Sequence, residues 1–174
     1  MTIRFAAVDV GYSKNEALAA AVIFSKWEQA AADMTYTSQI SGITLYEPGK
    51  FYLRELPCIL DILHRLDSLP ELIIVDGYVW LDESSRQGLG ARLHDALIHQ
   101  CAVVGVAKTC FFRGANAAEV MRGRSRKPLF VTSVGVDLEQ AAQGIRSMHG
   151  DNRIPTLLRV ADRLSRGIPP PQQA

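Results

Sequence analysis

Three strand-like segments follow one another before any helical pattern begins, and from there helix and strand alternate. Phe5–Val10 (FAAVDV) and Ala17–Phe24 (ALAAAVIF) are short apolar runs, joined by a polar link whose Gly, Ser and Asn favour a turn. The alanine-rich part of the second run suits a helix as well. Met34–Ile40 (MTYTSQI) alternates polar and apolar residues, the mark of a half-buried strand. Beyond Pro48 and Gly49, Leu56, Leu60, Leu63 and Leu66 recur at helical spacing and predict an amphipathic helix that ends before Pro70. Glu71–Val75 (ELIIV) reads as a fourth strand, Leu89, Leu93, Ala96 and Leu97 mark a second helix, and Ala102–Ala107 (AVVGVA) a fifth strand. A polar, basic connection (FRGANAAEVMRGRSRK) leads to a further strand at Leu129–Val134, a helix from about Leu138, and a last helix over Thr156–Arg166.

The order β-β-β-α-β-α-β predicts an α/β fold built on a mixed sheet flanked by helices, with a meander on one side and parallel strands on the other. A chain of 174 residues suffices for one well-formed core, so a single domain is expected over residues 1–168, with a frayed tail at 169–174. Lysine and arginine total 19 against 18 acids, a net charge of +1, so a polyanionic or membrane partner would have to be read from local clusters. Cys58, Cys101 and Cys110 lack metal-ligand spacing and fit buried thiols in a reducing compartment. With no signal-peptide pattern and no apolar run near the roughly 18 residues of a membrane span, a cytoplasmic protein is expected.

On this topology Asp9 lies on the first strand and Asp76 ends the fourth, where the two strands can be neighbours. Glu55, expected in the first turn of the intervening helix, can lean over the same edge. Three carboxylates brought together repel one another and raise each other's pKa, a cost that a hard divalent ion such as Mg²⁺ or Mn²⁺ removes. The chemistry implied is metal-assisted hydrolysis of a phosphodiester. Each acid also has a plainer reading: Asp76-Gly77 as a strand-ending turn, and Glu55 as a solvated residue whose charge suits a helix N-terminus.

At these residues the sequence resembles the endonuclease V family. The family's Asp-Val-Ser-Tyr appears as Asp9-Val10-Gly11-Tyr12, and its Tyr-x-Pro-Gly followed by Arg-Glu as Tyr46-Glu47-Pro48-Gly49 and Arg54-Glu55. Val75-Asp76-Gly77, Gly105-Val106-Ala107-Lys108, Arg153-Ile154-Pro155 and Arg159-Val160-Ala161-Asp162 continue the match in order. The resemblance implies a ribonuclease H-like fold and a Mg²⁺-dependent endonuclease (Mn²⁺ as an alternative) that cuts near deaminated bases such as inosine, in nucleic-acid repair. Its partners would be DNA or RNA containing such bases, with no membrane, and the chain acting as a monomer.

Carried over by position, Asp9, Glu55 and Asp76 match acidic catalytic and metal-binding residues, and Lys108 a phosphate-contacting or water-positioning lysine. Tyr12 is expected at the substrate, Tyr46 and Pro48 match a strand-parting wedge, and Gly49 and Gly77 positions beside the recognised base, where glycine permits close backbone approach. The chain departs from the family at Val136, where histidine is expected, and at Val79, which would narrow a base pocket. Asp137 is a candidate fourth metal ligand. It also fits a helix N-cap with Gln140 as its capping-box partner.

Arg113, Arg122, Arg124, Arg126 and Lys127 crowd one segment and could track a phosphate backbone or simply be solvated. Tyr78 and Trp80 could stack on a base or pack in the core. Alternative expectations are a nucleic-acid-binding homologue with weakened catalysis and a small-molecule nucleotide phosphohydrolase.

Overall fold

Alternation along the strands and a four-residue repeat along the helices divide the apolar side chains of this chain between two cores, one on each face of a single sheet. The computed structural model describes residues 4–43, 48, 50–111 and 116–169. Its elements are β1 (Phe5–Ser13), β2 (Glu16–Phe24), β3 (Met34–Ser41), α1 (Phe51–His64), β4 (Leu72–Asp76), α2 (Leu89–Ala96), β5 (Ala102–Ala107), β6 (Ala118–Val120), β7 (Leu129–Val134), α3 (Leu138–Ser147) and α4 (Thr156–Ser165). The strands form one sheet in the order β3-β2-β1-β4-β5-β7-β6. β1, β4 and β5 are parallel, the β1–β2–β3 meander is antiparallel, and β7 and β6 close the other side antiparallel.

On β1, Ala6, Val8 and Val10 share a core with Cys58, Ile59 and Ile62 of α1 and Leu93 of α2, while Phe5 and Ala7 share the opposite core with Ile145 of α3 and Leu157 and Val160 of α4. The same alternation puts Leu72 and Ile74 of β4 on the α3/α4 face and Ile73 and Val75 on the α1/α2 face. Asp9 and Asp76, each two residues on from Ala7 and Ile74, therefore belong to the α4 side.

Several boundaries differ from the sequence expectation. β1 runs on to Ser13, because its antiparallel partner β2 continues pairing through the Ser13–Glu16 turn. β6, three residues long, interrupts what reads as a polar connection; only its pairing with Leu129–Val131 makes it a strand. α1 starts at Phe51, which moves Glu55 into the second turn. His94 and His99, five residues apart, would diverge on a continuous helix, but Ile98 and His99 adopt positive φ after α2 ends, and the two rings stack at 4.6 Å. Cys58 and Cys101 are buried, whereas Cys110 is exposed. No helix among the described residues is long and apolar enough to cross a membrane.

Candidate active site

Asp9 and Asp76 are brought level by strand register. Val8 pairs with Val75 in the parallel β1–β4 ladder, so the next residue on each strand is a carboxylate. β5 ends beside them, and Lys108, directly after it, places its Nζ 3.8 Å from Asp76 Oδ2. The fourth wall comes from α4, whose docking depends on Gly11. A Cβ built there would stand 2.1 Å from the backbone oxygen of Ser165, so only a glycine lets the end of α4 lie against β1. That docking brings Ser165 Oγ to Asp9 Oδ2, to which it donates at 2.5 Å, and sets Asp162 into the same recess. The result is a small cavity of about 110 Å³. Ala7, Ile74, Val106, Ile154 and Leu158 contribute its apolar lining; Asp9, Asp76, Lys108, Arg159 and Asp162 supply its polar groups.

Glu55 reaches the acids from α1. It lies on that helix's buried face with Cys58, Ile59 and Ile62, at the i, i+3, i+4, i+7 spacing of a core stripe, and is 3 % exposed. The solvated-residue reading is thereby overturned. Its Oε2 is buried with no hydrogen-bond partner among the described residues. Burial above all, then the charges of Asp9 and Asp76, push its pKa up to about 9, with Arg54 opposing. Burial likewise raises Asp9, against the Ser165 hydrogen bond and with Asp76 and Asp162 adding to the rise. Burial raises Asp76 too, with Lys108 opposing and Asp162 adding.

Such a cluster holds protons in a pH range where solvated carboxylates have lost them, unless a cation compensates. An oxygen-only donor set with one buried, unpartnered carboxylate oxygen suits a hard divalent ion. No group of three His, Cys, Asp or Glu side chains among the described residues forms a ready-made cage. Mg²⁺ typically takes one or two carboxylates and keeps several waters, which the pair Asp9 and Asp76 can satisfy.

The other expected residues divide. Tyr12 lies at the edge of this region, half-buried, with the Arg54 guanidinium 3.7 Å over its ring and its hydroxyl without a hydrogen-bond partner among the described residues. Burial and Glu55 hold that phenol above its usual range. Gly77 directly follows Asp76 with φ of 127° and open space where a side chain would be. Pro48 is exposed, and Tyr46, Gly49 and Arg113 lie outside the described residues.

Asp137 does not join the acids. β7 runs antiparallel to β5, pairing Phe130 with Ala107 and Val134 with Val103, so the residues after β7 emerge at the opposite sheet edge from Asp76 and Lys108. There Asp137 caps α3, accepting from the Gln140 backbone N–H at 3.0 Å. Val136 shares that remote edge, so the side chain at this position has no direct part in the carboxylate site. Val79 is fully buried in the α1/α2 core. Tyr78 is buried and spends its hydroxyl on the 109–111 loop, donating to Thr109 O and accepting from Phe111 N, while Trp80 Nε1 donates to Ser133 O. Tyr78 thus anchors that loop, and Trp80 packs against the α1/α2 core while tied to β7.

Asp162, Ser165 and Arg159 were not expected at the site. Asp162 ends the Arg159-Val160-Ala161-Asp162 match, a signal that could have marked it.

Two substitutions test the α4 docking. Ser165→Ala removes a hydrogen bond to a carboxylate and is expected to weaken divalent-ion binding about 10-fold, measured by calorimetry, with the fold retained. Gly11→Ala drives a methyl group into the Ser165 carbonyl and is expected to cost about 3 kcal/mol of stability in chemical denaturation. Unchanged ion affinity in the first and unchanged stability in the second would contradict this docking.

The sequence and the fold are shared with known proteins. The pattern of the Endonuclease V family matches residues 2–126. An endonuclease V of Roseiflexus castenholzii is 30% identical over 92% of this chain and 79% of its own length. The crystal structure of an endonuclease V from Streptomyces avermitilis superposes with a TM-score of 0.74 at 28% identity, covering 95% of this chain and 81% of that one. The endonuclease V of Ciona intestinalis, solved in complex with a 24mer DNA containing an inosine followed by a ribo-adenosine, shares the fold with a TM-score of 0.80 at 20% identity, covering 95% and 84% of the two chains.

Proposed function

Because the chain belongs to the endonuclease V family, we propose that it is a divalent-cation-dependent endonuclease that hydrolyses phosphodiester bonds in nucleic acid near deaminated bases such as inosine. The observation that carries this reading is the buried Glu55 carboxylate, its Oε2 without a hydrogen-bond partner among the described residues, set against the Asp9–Asp76 pair. The Ciona relative in complex with inosine-containing DNA supports the substrate class.

Asp9 and Asp76 would hold Mg²⁺ or Mn²⁺, with Glu55 as a further ligand or as the group that orients the attacking water. When bound, the cation supplies Lewis-acid stabilisation of the phosphate and acidification of water. Asp162 adds a fourth acid from the α4 side. Ser165 holds the Asp9 carboxylate in one orientation, and Lys108 offers a positive charge to the phosphate while lowering the cost of the Asp76 charge. The apolar lining of the recess limits water around these groups and so strengthens their electrostatics. Gly77, with no side chain beside Asp76, lets the backbone approach a base closely.

The test is incubation of the purified protein with inosine-containing single-stranded DNA in Mg²⁺, in Mn²⁺ and in chelator. Cleavage is expected only with added cation. Retention of the strand without cleavage in any cation would replace this reading with that of a nucleic-acid-binding homologue, and turnover of nucleotides alone with that of a small-molecule phosphohydrolase.

A further inference from the structure

The loop between β6 and β7 carries Arg122, Arg124, Arg126 and Lys127 and no acid. Strand register fixes where it emerges. Val120 pairs with Leu129, and Phe130 pairs with Ala107, so the loop stands at the same sheet edge as Asp76 and Lys108, beyond β5. Arg153 ties the two together, its Nη2 donating to the backbone oxygens of both Lys108 and Pro128.

Within the loop the cations divide by role. Arg122 is buried and donates to the carbonyls of Ile145, Arg146, Met148 and Gly150, so it anchors the loop to the end of α3. The backbone above it is braced by Ser125, whose hydroxyl donates to Lys127 O and accepts from Lys127 N. Arg124, Arg126 and Lys127 are exposed, and none forms an ion pair among the described residues. Arg124 and Arg153 also line a groove of about 620 Å³ with Gly123, Ser125, Asn152 and a single acid, Asp151. A braced backbone presenting unpaired cations beside a phosphodiester site is suited to a chain of phosphates. Exposed cations of this kind meet phosphates whatever bases those phosphates carry.

We propose that the 121–128 loop is a phosphate-backbone ridge on which the nucleic-acid strand continues beyond the scissile bond, with Arg124, Arg126 and Lys127 each neutralising a phosphate irrespective of sequence. This rests on the reading of the carboxylate site as acting on nucleic acid. Charge neutralisation by three residues makes binding depend on salt, because each contact releases counterions.

The experiment measures binding of fluorescent single-stranded DNA, with and without inosine, across a range of salt, for the parent protein and for Arg124→Ala/Arg126→Ala/Lys127→Ala. All three side chains are exposed, and a second variant with glutamine at the same positions repeats the test. Both variants are expected to reduce the slope of log affinity against log salt by about 2, at about 0.7 per single-strand phosphate. The loss should be equal for the inosine and unmodified strands, and cleavage should show a raised KM with kcat retained. An unchanged slope, or a loss confined to the inosine strand, would overturn the ridge. A parent protein that binds through these cations yet leaves every strand uncut would overturn the enzymatic reading while upholding the ridge.

Discussion

Asp9→Asn and Asp76→Asn are each expected to lower cleavage of an inosine-containing strand on the order of 1,000-fold, roughly 4 kcal/mol of transition-state stabilisation. Asparagine keeps the size of each side chain and removes the charge that a divalent ion requires, so the fold should survive while ion binding fails. Loss of either charge also relieves Glu55, whose pKa both aspartates raise. Each variant should therefore be at least as stable as the parent without divalent ions, which separates loss of chemistry from loss of structure. Circular dichroism and thermal unfolding in chelator check the second part, and single-turnover cleavage the first. A variant that keeps parental ion affinity and cleavage would remove that aspartate from the site.

Glu55→Gln is expected to stabilise the protein in cation-free buffer at alkaline pH, on the order of 5 kcal/mol near pH 8. The sign follows from the direction of the shift. Glu55 rises from 4.5 to about 9 on folding, so its favourable contribution is complete below the unfolded value and is lost as pH rises towards the folded one. Glutamine cannot ionise and escapes that loss. The two proteins should unfold alike near pH 4 and diverge steadily above it. Divalent ions should stabilise the parent more than the variant. Near pH 7, ion binding to the parent should release about one proton that the variant does not, read by calorimetry in buffers of different ionisation enthalpy. Parallel stability curves from pH 4 to 9 would mean that Glu55 is not held protonated by burial.

The sheet was legible where apolar runs are short and bounded, as in ELIIVDG and AVVGVA, and with it the convergence of Asp9 and Asp76. What failed depended on direction and docking, which residue types do not encode. The late strand reads as a strand either way round, yet only its antiparallel course sends Asp137 and Val136 to the far edge. Asp137 carried the correct alternative in its own sequence, since Asp followed three positions later by Gln is a capping signal. Glu55 looked solvated because Phe51-Tyr52-Leu53 precede the leucine repeat and hide the helix start, and with it the turn and face that Glu55 occupies. Asp162 and Ser165 sit in a helix with an ordinary polar face. Their role depends on α4 approaching β1 at Gly11, where the absence of a side chain is the decisive feature.

The most direct measurement is cleavage by the purified protein of matched inosine-containing and unmodified single strands, as DNA and as RNA, in Mg²⁺ and Mn²⁺, beside the Asp9→Asn/Asp76→Asn protein. The carboxylate site described above predicts cation-dependent cuts near the inosine that vanish in the double variant. Cleavage that persists in the double variant would place the chemistry elsewhere. Intact strands despite measured ion binding would mean that these acids hold a cation without hydrolysing nucleic acid.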